Sequence, residues 1–156
     1  MIEIERKFLV HGRPHHGLKG ITLIQGYITQ SPEGTTVRVR LTDQKSTLTI
    51  KGAANLTGLS RQEYEFDIDN GLAEDLLDYL CRGRTLTKTR YITQYKGHTW
   101  EIDSFHGKHG GLVLAEIELE SEDQEFELPP WIDKEVTGDL CYTNAWLAIA
   151  GNRFLK

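Results

Sequence analysis

The sequence predicts an α+β fold dominated by antiparallel sheet: an eight-stranded β-barrel, or tunnel, with a charged lumen and flanking α-helices. Three observations carry this. Eight segments follow a period of two residues, many joined by short turns, as antiparallel neighbours are. Only two segments have helical periodicity. One face of most of the strands carries formal charge instead of Ser or Thr.

The expected strands cover residues 3–10, 26–30, 35–42, 46–52, 60–68, 85–95, 98–105 and 112–121. Between them, residues 12–20, 31–34 and 107–111 are rich in Gly and Pro and read as loops. Residues 71–81 place Leu72, Leu76, Leu77 and Leu80 on one stripe; Asp69 or Asn70 can cap the start and Arg82-Gly83 ends it. Residues 139–150 read as a second helix, with Leu140, Trp146, Leu147 and Ile149. No repeat, low-complexity tract or linker divides the chain, so the expectation is a single domain over residues 1–156.

The alternation shows which residues share a face, because side chains at i and i+2 on a strand point the same way. Glu3, Glu5 and Lys7 oppose Ile2, Ile4 and Phe8, and Arg38 and Arg40 oppose Val37, Val39 and Leu41. Lys51 opposes Leu48 and Ile50; Arg61, Glu63 and Glu65 oppose Tyr64 and Phe66. Later strands add Lys88 and Arg90, then Glu101 and Asp103, then Glu116, Glu118 and Glu120. A solvated sheet face also carries mixed charge, but such a face favours Lys, Thr, Ser and Gln. This one favours Glu and Arg, and Arg is suited to bidentate phosphate recognition.

A sheet of about eight strands can close around a small ligand. With the charged face inward, the lumen has a basic sector for phosphate oxygens. It also has an acidic sector for hard divalent cations such as Mg²⁺ or Mn²⁺. The apolar face then points outward and needs cover; two helices supply part of it and a homodimer would supply more.

Bulk properties narrow the classes. The chain has 156 residues and a formal net charge of -5, against a protein that wraps nucleic acid with a basic surface. Two cysteines without CxxC spacing fit a reduced, cytoplasmic protein, and no apolar run has transmembrane length. The first residues, MIEIERKFLV, lack a signal-peptide core.

Glu3-Ile4-Glu5-Arg6-Lys7 matches the ExExK signature of the CYTH superfamily, the triphosphate tunnel metalloenzymes. Further matches follow in order: Gly26-Tyr27, Arg38-Val39-Arg40, Leu48-Thr49-Ile50-Lys51-Gly52, Arg61-Gln62-Glu63-Tyr64-Glu65 and Lys88-Thr89-Arg90-Tyr91. Trp100-Glu101-Ile102-Asp103, Ala115-Glu116-Ile117-Glu118, Lys134-Glu135-Val136-Thr137 and Tyr142-Thr143-Asn144 complete the set. The chain resembles this superfamily over nearly its whole length, and looks closest to its bacterial inorganic triphosphatase branch.

The resemblance implies divalent-metal-dependent hydrolysis of inorganic triphosphate to pyrophosphate and phosphate. By it, Glu3, Glu5, Glu116 and Glu118 are metal ligands, with Glu63, Glu65 and Asp103 contributing directly or through water. Lys7, Arg38, Arg40, Lys51, Lys88 and Arg90 would hold the triphosphate, Tyr27 with Lys88 would assist the chemistry, and Lys134 would reach the tunnel mouth. Three other activities stay open: a class IV-type adenylyl cyclase, a thiamine or nucleoside triphosphatase with Trp131 as a stacking candidate, and a non-catalytic polyphosphate-binding module. The histidines His98, His106 and His109 lie near glycines in turns and are read as loop residues, and Cys81 and Cys141 as packing residues.

Overall fold

In the computed structural model, described here for residues 1–29 and 34–150, eight strands close into a barrel. They are β1 (Ile2–Val10), β2 (Ile21–Tyr27), β3 (Thr36–Leu41), β4 (Ser46–Lys51), β5 (Ser60–Ile68), β6 (Thr85–Tyr95), β7 (His98–Phe105) and β8 (Val113–Glu118). Each pairs antiparallel with its neighbour in the order β5-β4-β3-β2-β6-β7-β8-β1. The ring shuts where β1 meets β5, with Glu3 opposite Arg61. Farther along the same edge of β1 a short ninth strand, β9 (Ile132–Glu135), pairs with it, placing Phe8 opposite Glu135.

Six strand expectations match to within a residue at either end, and three of those match at both ends: residues 60–68, 85–95 and 98–105. The other two differ, and one strand was not expected. β2 starts at Ile21, because Ile24 faces outward and is 40% exposed, which blurs the alternation of Ile21–Gln25. Its expected end at Gln30, and most of the loop expected at 31–34, lie outside the described residues. β8 stops at Glu118, and β9 replaces what the sequence presents as a loop.

Two apolar layers lie outside the barrel. Helix α1 (Asn70–Tyr79) starts at Asp69, whose carboxylate accepts from the backbone N–H groups of Gly71 and Leu72. It buries Ala73 and Leu77 against Val39, with Leu76 partly buried beside them. Leu72 and Leu80 are 48% and 47% exposed, so the expected leucine stripe is rotated: Ala73 and Cys81 take the inner positions. Gly26 permits this approach, since a Cβ there would stand 2.6 Å from the Cβ of Cys81. The second layer covers β1, β7 and β8: Phe8, Trp100 and Ile117 pack with Phe126 and Trp131 from the segment before β9.

The segment expected as one helix over 139–150 is a 3-10 turn (Leu140–Tyr142) followed by a short helix α2 (Asn144–Ile149). Thr143 separates them, its hydroxyl accepting from the Trp146 N–H. α2 does not flank the barrel wall. Leu147 and Ala148 pack with Tyr27, Leu86, Phe105 and Leu114, which belong to the inward-facing sets of their strands. An apolar plug therefore caps one end of the lumen. The Lys108 ammonium donates to the Ala148 carbonyl at 3.0 Å, and the His109 ring meets the Leu147 carbonyl at 2.6 Å, tying the plug to the β7–β8 turn.

Candidate active site

Above the plug the lumen opens into a cavity of about 370 Å³. Inward residues of all eight barrel strands line it, together with the β4–β5 loop (Ala54, Gly58, Leu59) and the stretch from Val136 to Ala145. The alternation that marks these strands in the sequence is the reason: every second side chain of each strand must point into the ring.

Most of the expected site residues meet here. Glu3, Glu5, Lys7, Tyr27, Arg38, Arg40, Lys51, Glu63, Glu65, Arg90, Glu116 and Glu118 all line the cavity. Lys88 and Asp103 do not; they lie wholly buried beneath it, 2.7 Å apart. Lys134 is exposed on β9, outside the cavity lining, so it does not reach the mouth as expected. The sequence reads it as a loop residue because the four-residue β9 is too short to show a period.

Charges are distributed unevenly around the cavity. On the β2–β3 side the cations outnumber their partners. Arg40 has no carboxylate partner among the described residues; its guanidinium donates only to the Gln25 amide oxygen, from Nε at 3.3 Å and Nη2 at 3.1 Å. Burial, with Arg38 and Arg90 nearby, pulls Arg40 down to about 10. Arg38 donates from Nη2 to the Thr49 hydroxyl at 3.1 Å and lies 3.6 Å from Glu65, while its Nε is buried and unpartnered. A buried donor without an acceptor is unfavourable, and an anion in the cavity would give Arg40 the charge partner it lacks.

On the β1–β8 side the carboxylates are in surplus. Antiparallel pairing sets Glu5 directly opposite Glu118, and Lys7 opposite Glu116. Like charges facing across a ladder repel. Burial and then Glu116 push Glu5 up to about 7. Glu118 is raised by burial and by Glu3 and Glu63. The side chain of Glu5 has no hydrogen bond or ion pair among the described residues.

Between the two sectors the charges answer one another. Lys51 donates to both oxygens of Glu3 at 2.7 Å, and Arg61 approaches the same carboxylate at 3.3 Å. Burial would raise Glu3, but Lys51 and Arg61 outweigh it and hold the carboxyl below its ordinary value. Lys7 lies 3.3 Å from Glu116. Burial raises Glu116 too, yet Lys7, Arg90 and Lys88 hold it well below the carboxylate range. Arg90 clasps Asp103 through two bonds of 2.8 Å and also pairs with Glu101.

Beneath the cavity, burial pulls Lys88 down to about 7 while Asp103 pulls it back, and Asp103 itself is held low by Lys88 and Arg90 against its own burial. These shifts point opposite ways for the ion pair. The ionised pair is the better reading, because Asp103 is already fixed as a carboxylate by Arg90 and the Asn144 amide oxygen accepts a second Lys88 N–H at 3.1 Å. The expected Tyr27–Lys88 contact is not formed: the Tyr27 hydroxyl bonds to Gln25 at 3.0 Å, and Lys88 to Asp103 and Asn144.

The carboxylates fit a hard divalent cation in donor type and in surplus charge, with Glu5 and Glu118 at the centre and Glu3, Glu63 and Glu116 beside them. Among the described residues no three such groups already converge as a ready-made metal site, since Glu3 and Glu116 are turned toward cations. Glu65 and Asp103 are likewise engaged by arginines and lysine. Three polar residues that the charge pattern passed over also shape the site: Gln25, Thr49 and Asn144. Gln25 and Thr49 share their strand's inward parity, which was the signal available.

Outside the cavity, the remaining candidates serve packing. Trp131 stacks edge-on against Trp100 at 5.7 Å, far from a stacking role at the mouth. His106 bonds Thr89, and Cys81 is a buried thiol packed beside Leu77 and Val39. No helix among the described residues is long and apolar enough to cross a membrane.

Comparison with known proteins agrees with this geometry. The CYTH domain family matches residues 1–140. An inorganic triphosphatase of Acetivibrio thermocellus is 47% identical over 144 residues, 92% of this chain and 90% of the relative. One from Nitrosomonas europaea is 41% identical over 153 residues, covering 96% and 99% of the two chains. A crystal structure of an inorganic triphosphatase superposes with a TM-score of 0.68 at 39% identity, over 94% of this chain and 97% of that one.

Proposed function

The chain belongs to the CYTH domain family, and from that premise we propose that its cavity hydrolyses inorganic triphosphate to pyrophosphate and phosphate. The observation that carries this reading is the split charge of one closed cavity. Arg40 lines it without a carboxylate of its own and Arg38 has only Glu65, at 3.6 Å, while Glu5 and Glu118 face each other without an ion-pair partner among the described residues. A phosphate chain accompanied by a divalent cation satisfies both surpluses at once. The relatives, named as inorganic triphosphatases, support hydrolysis over a binding module, a thiamine triphosphatase or a cyclase. Tyr27 is the one aromatic residue lining the cavity among the described residues, which gives a nucleobase or thiazole little to stack on.

Phosphoryl transfer asks the protein for alignment and for charge stabilisation. Arg38, Arg40, Lys51 and Arg90 would grip the phosphate oxygens, with Lys7 nearer the carboxylates and Lys88 holding Asp103 and Arg90 in place from below. The Tyr27 hydroxyl would donate to a phosphate oxygen. Glu5 and Glu118, with Glu3, Glu63 and Glu116, would hold Mg²⁺ or Mn²⁺, which when bound would neutralise charge on the phosphate oxygens. A carboxylate released from its lysine as the phosphates take that lysine's charge could then orient the attacking water.

We place this single tunnel domain in the cytoplasm, consistent with a chain of only two cysteines that lack CxxC spacing. A second copy would cover the outer face of β5, where Tyr64 and Phe66 are 52% and 53% exposed.

Phosphate release from inorganic triphosphate and from ATP, each with Mg²⁺ or Mn²⁺ and with EDTA, tests the proposal. Fast, EDTA-sensitive release from triphosphate with little from ATP is expected. Preference for ATP with cyclic AMP as product would reassign the site to a cyclase.

A further inference from the structure

Gln25 is wholly buried on β2 and does not itself line the cavity, yet its amide touches two residues that do. Its Oε1 accepts from Nε and Nη2 of Arg40, and its Nε2 stands 3.0 Å from the Tyr27 hydroxyl oxygen. The orientation of this amide is forced. A guanidinium has donors only, so Arg40 must face the amide oxygen. The amide nitrogen is then left to Tyr27, whose oxygen must accept. The Tyr27 hydroxyl has no other hydrogen-bond partner among the described residues, so its own O–H is left for whatever occupies the cavity.

A second consequence concerns charge. Arg40 has Arg38, Arg90 and the Arg90-bound Asp103 as charged neighbours, and a neutral amide is the only hydrogen-bond acceptor it has among the described residues. A carboxylate in that place would fix Arg40 equally well but would consume its charge inside the wall. The amide fixes the guanidinium and leaves the charge to the lumen.

We propose that Gln25 is a positioning residue which aims two substrate-binding groups at once, keeping the Arg40 charge available to the triphosphate and turning the Tyr27 O–H toward a phosphate oxygen. This rests on the triphosphatase reading. It predicts an effect that packing alone would not produce: replacing the amide acts on turnover through Tyr27 and on binding through Arg40.

The test uses Gln25→Glu and Gln25→Met, which keep chain length, alone and combined with Tyr27→Phe, with kcat and KM for triphosphate and thermal unfolding of each. In Gln25→Glu the new carboxylate pairs with Arg40 and captures the Tyr27 hydrogen. KM should rise at least about tenfold, and kcat should fall about tenfold with Tyr27 present but stay level in the Tyr27→Phe background. Gln25→Met should show the same dependence of kcat on Tyr27 with a smaller rise in KM. Either variant decides if the other does not fold. A folded Gln25 variant with wild-type constants, or a kcat loss of equal size with and without the Tyr27 hydroxyl, overturns the proposal. Absence of triphosphate hydrolysis by the wild type would instead strike the triphosphatase reading. The role of Gln25 is then decided by titrating triphosphate in EDTA: weaker binding by Gln25→Glu sustains it, unchanged binding overturns it.

Discussion

The two sides of the lumen are built from the same strand alternation and yet carry opposite surpluses. On the β2–β3 side, Arg40 leans on a neutral amide and Arg38 keeps one N–H unpartnered. On the β1–β8 side, the ladder register sets Glu5 against Glu118, and the nearest lysines are taken by Glu3 and Glu116. Pairing within a barrel wall could have neutralised both sides. Here it neutralises the middle and leaves each margin unsatisfied, which is an arrangement for a ligand that carries both signs.

The largest expected effect comes from the acidic margin. Glu5→Gln should lower triphosphate hydrolysis by about 10³-fold or more, the scale of losing several kcal/mol of metal-assisted charge stabilisation. Its thermal unfolding should not fall, since the substitution relieves the cost of burying the charge and repulsion from Glu116 and Glu3. A stable variant with wild-type turnover would remove Glu5 from the acidic site. Next is the buried pair beneath the cavity. Lys88→Met leaves Asp103 with Arg90 alone and should lose roughly 3 kcal/mol of stability in denaturant titrations, as broken buried pairs do. A loss well below 1 kcal/mol would mean that Lys88 is not holding the floor of the site.

The margins also differ in their response to pH. The folded-state value of Glu5 is raised to about 7, above its unfolded value near 4.5. A raised acid favours folding while it is protonated, and that contribution fades as pH climbs from about 5 to about 8. Without divalent cation, wild type should therefore lose stability relative to Glu5→Gln across that window, and added Mn²⁺ should reverse the trend. Parallel stability curves for the two proteins would contradict it. The smallest effect belongs to Lys134→Ala, which should change kcat/KM by less than about twofold because Lys134 stands on the exposed face of β9. A tenfold loss would show that the mouth extends farther than the cavity described.

Much of this was legible in the sequence, and for one reason: a strand in a closed barrel must send alternate residues inward. That rule placed Glu3, Glu5 and Lys7, Arg38 and Arg40, and Glu116 and Glu118 on one surface before any coordinates. It was silent on long-range choices. Whether Lys51 would turn to Glu3 instead of its ladder partner Glu63 depends on ring closure, and whether Tyr27 would reach Lys88 depends on side-chain directions that the β2–β6 pairing leaves open. Gln25 and Thr49 had the right parity but no charge to draw notice. α2 is apolar at five of its six residues, which marks it for burial without saying where, and the barrel's apolar end, made by Leu86, Phe105 and Leu114, turns it into a plug.

The central claim is that metal and phosphate are held at different margins of one cavity, and counting bound Mn²⁺ by electron paramagnetic resonance tests it most directly. Wild type, Glu5→Gln and Arg40→Gln would be titrated with Mn²⁺ in the absence of phosphate, and then with triphosphate in EDTA. The account predicts that Glu5→Gln weakens Mn²⁺ binding at least about tenfold while Arg40→Gln leaves it unchanged or tighter, with the order reversed for triphosphate. Equal loss of Mn²⁺ in both variants, or wild-type Mn²⁺ binding by Glu5→Gln, would contradict it.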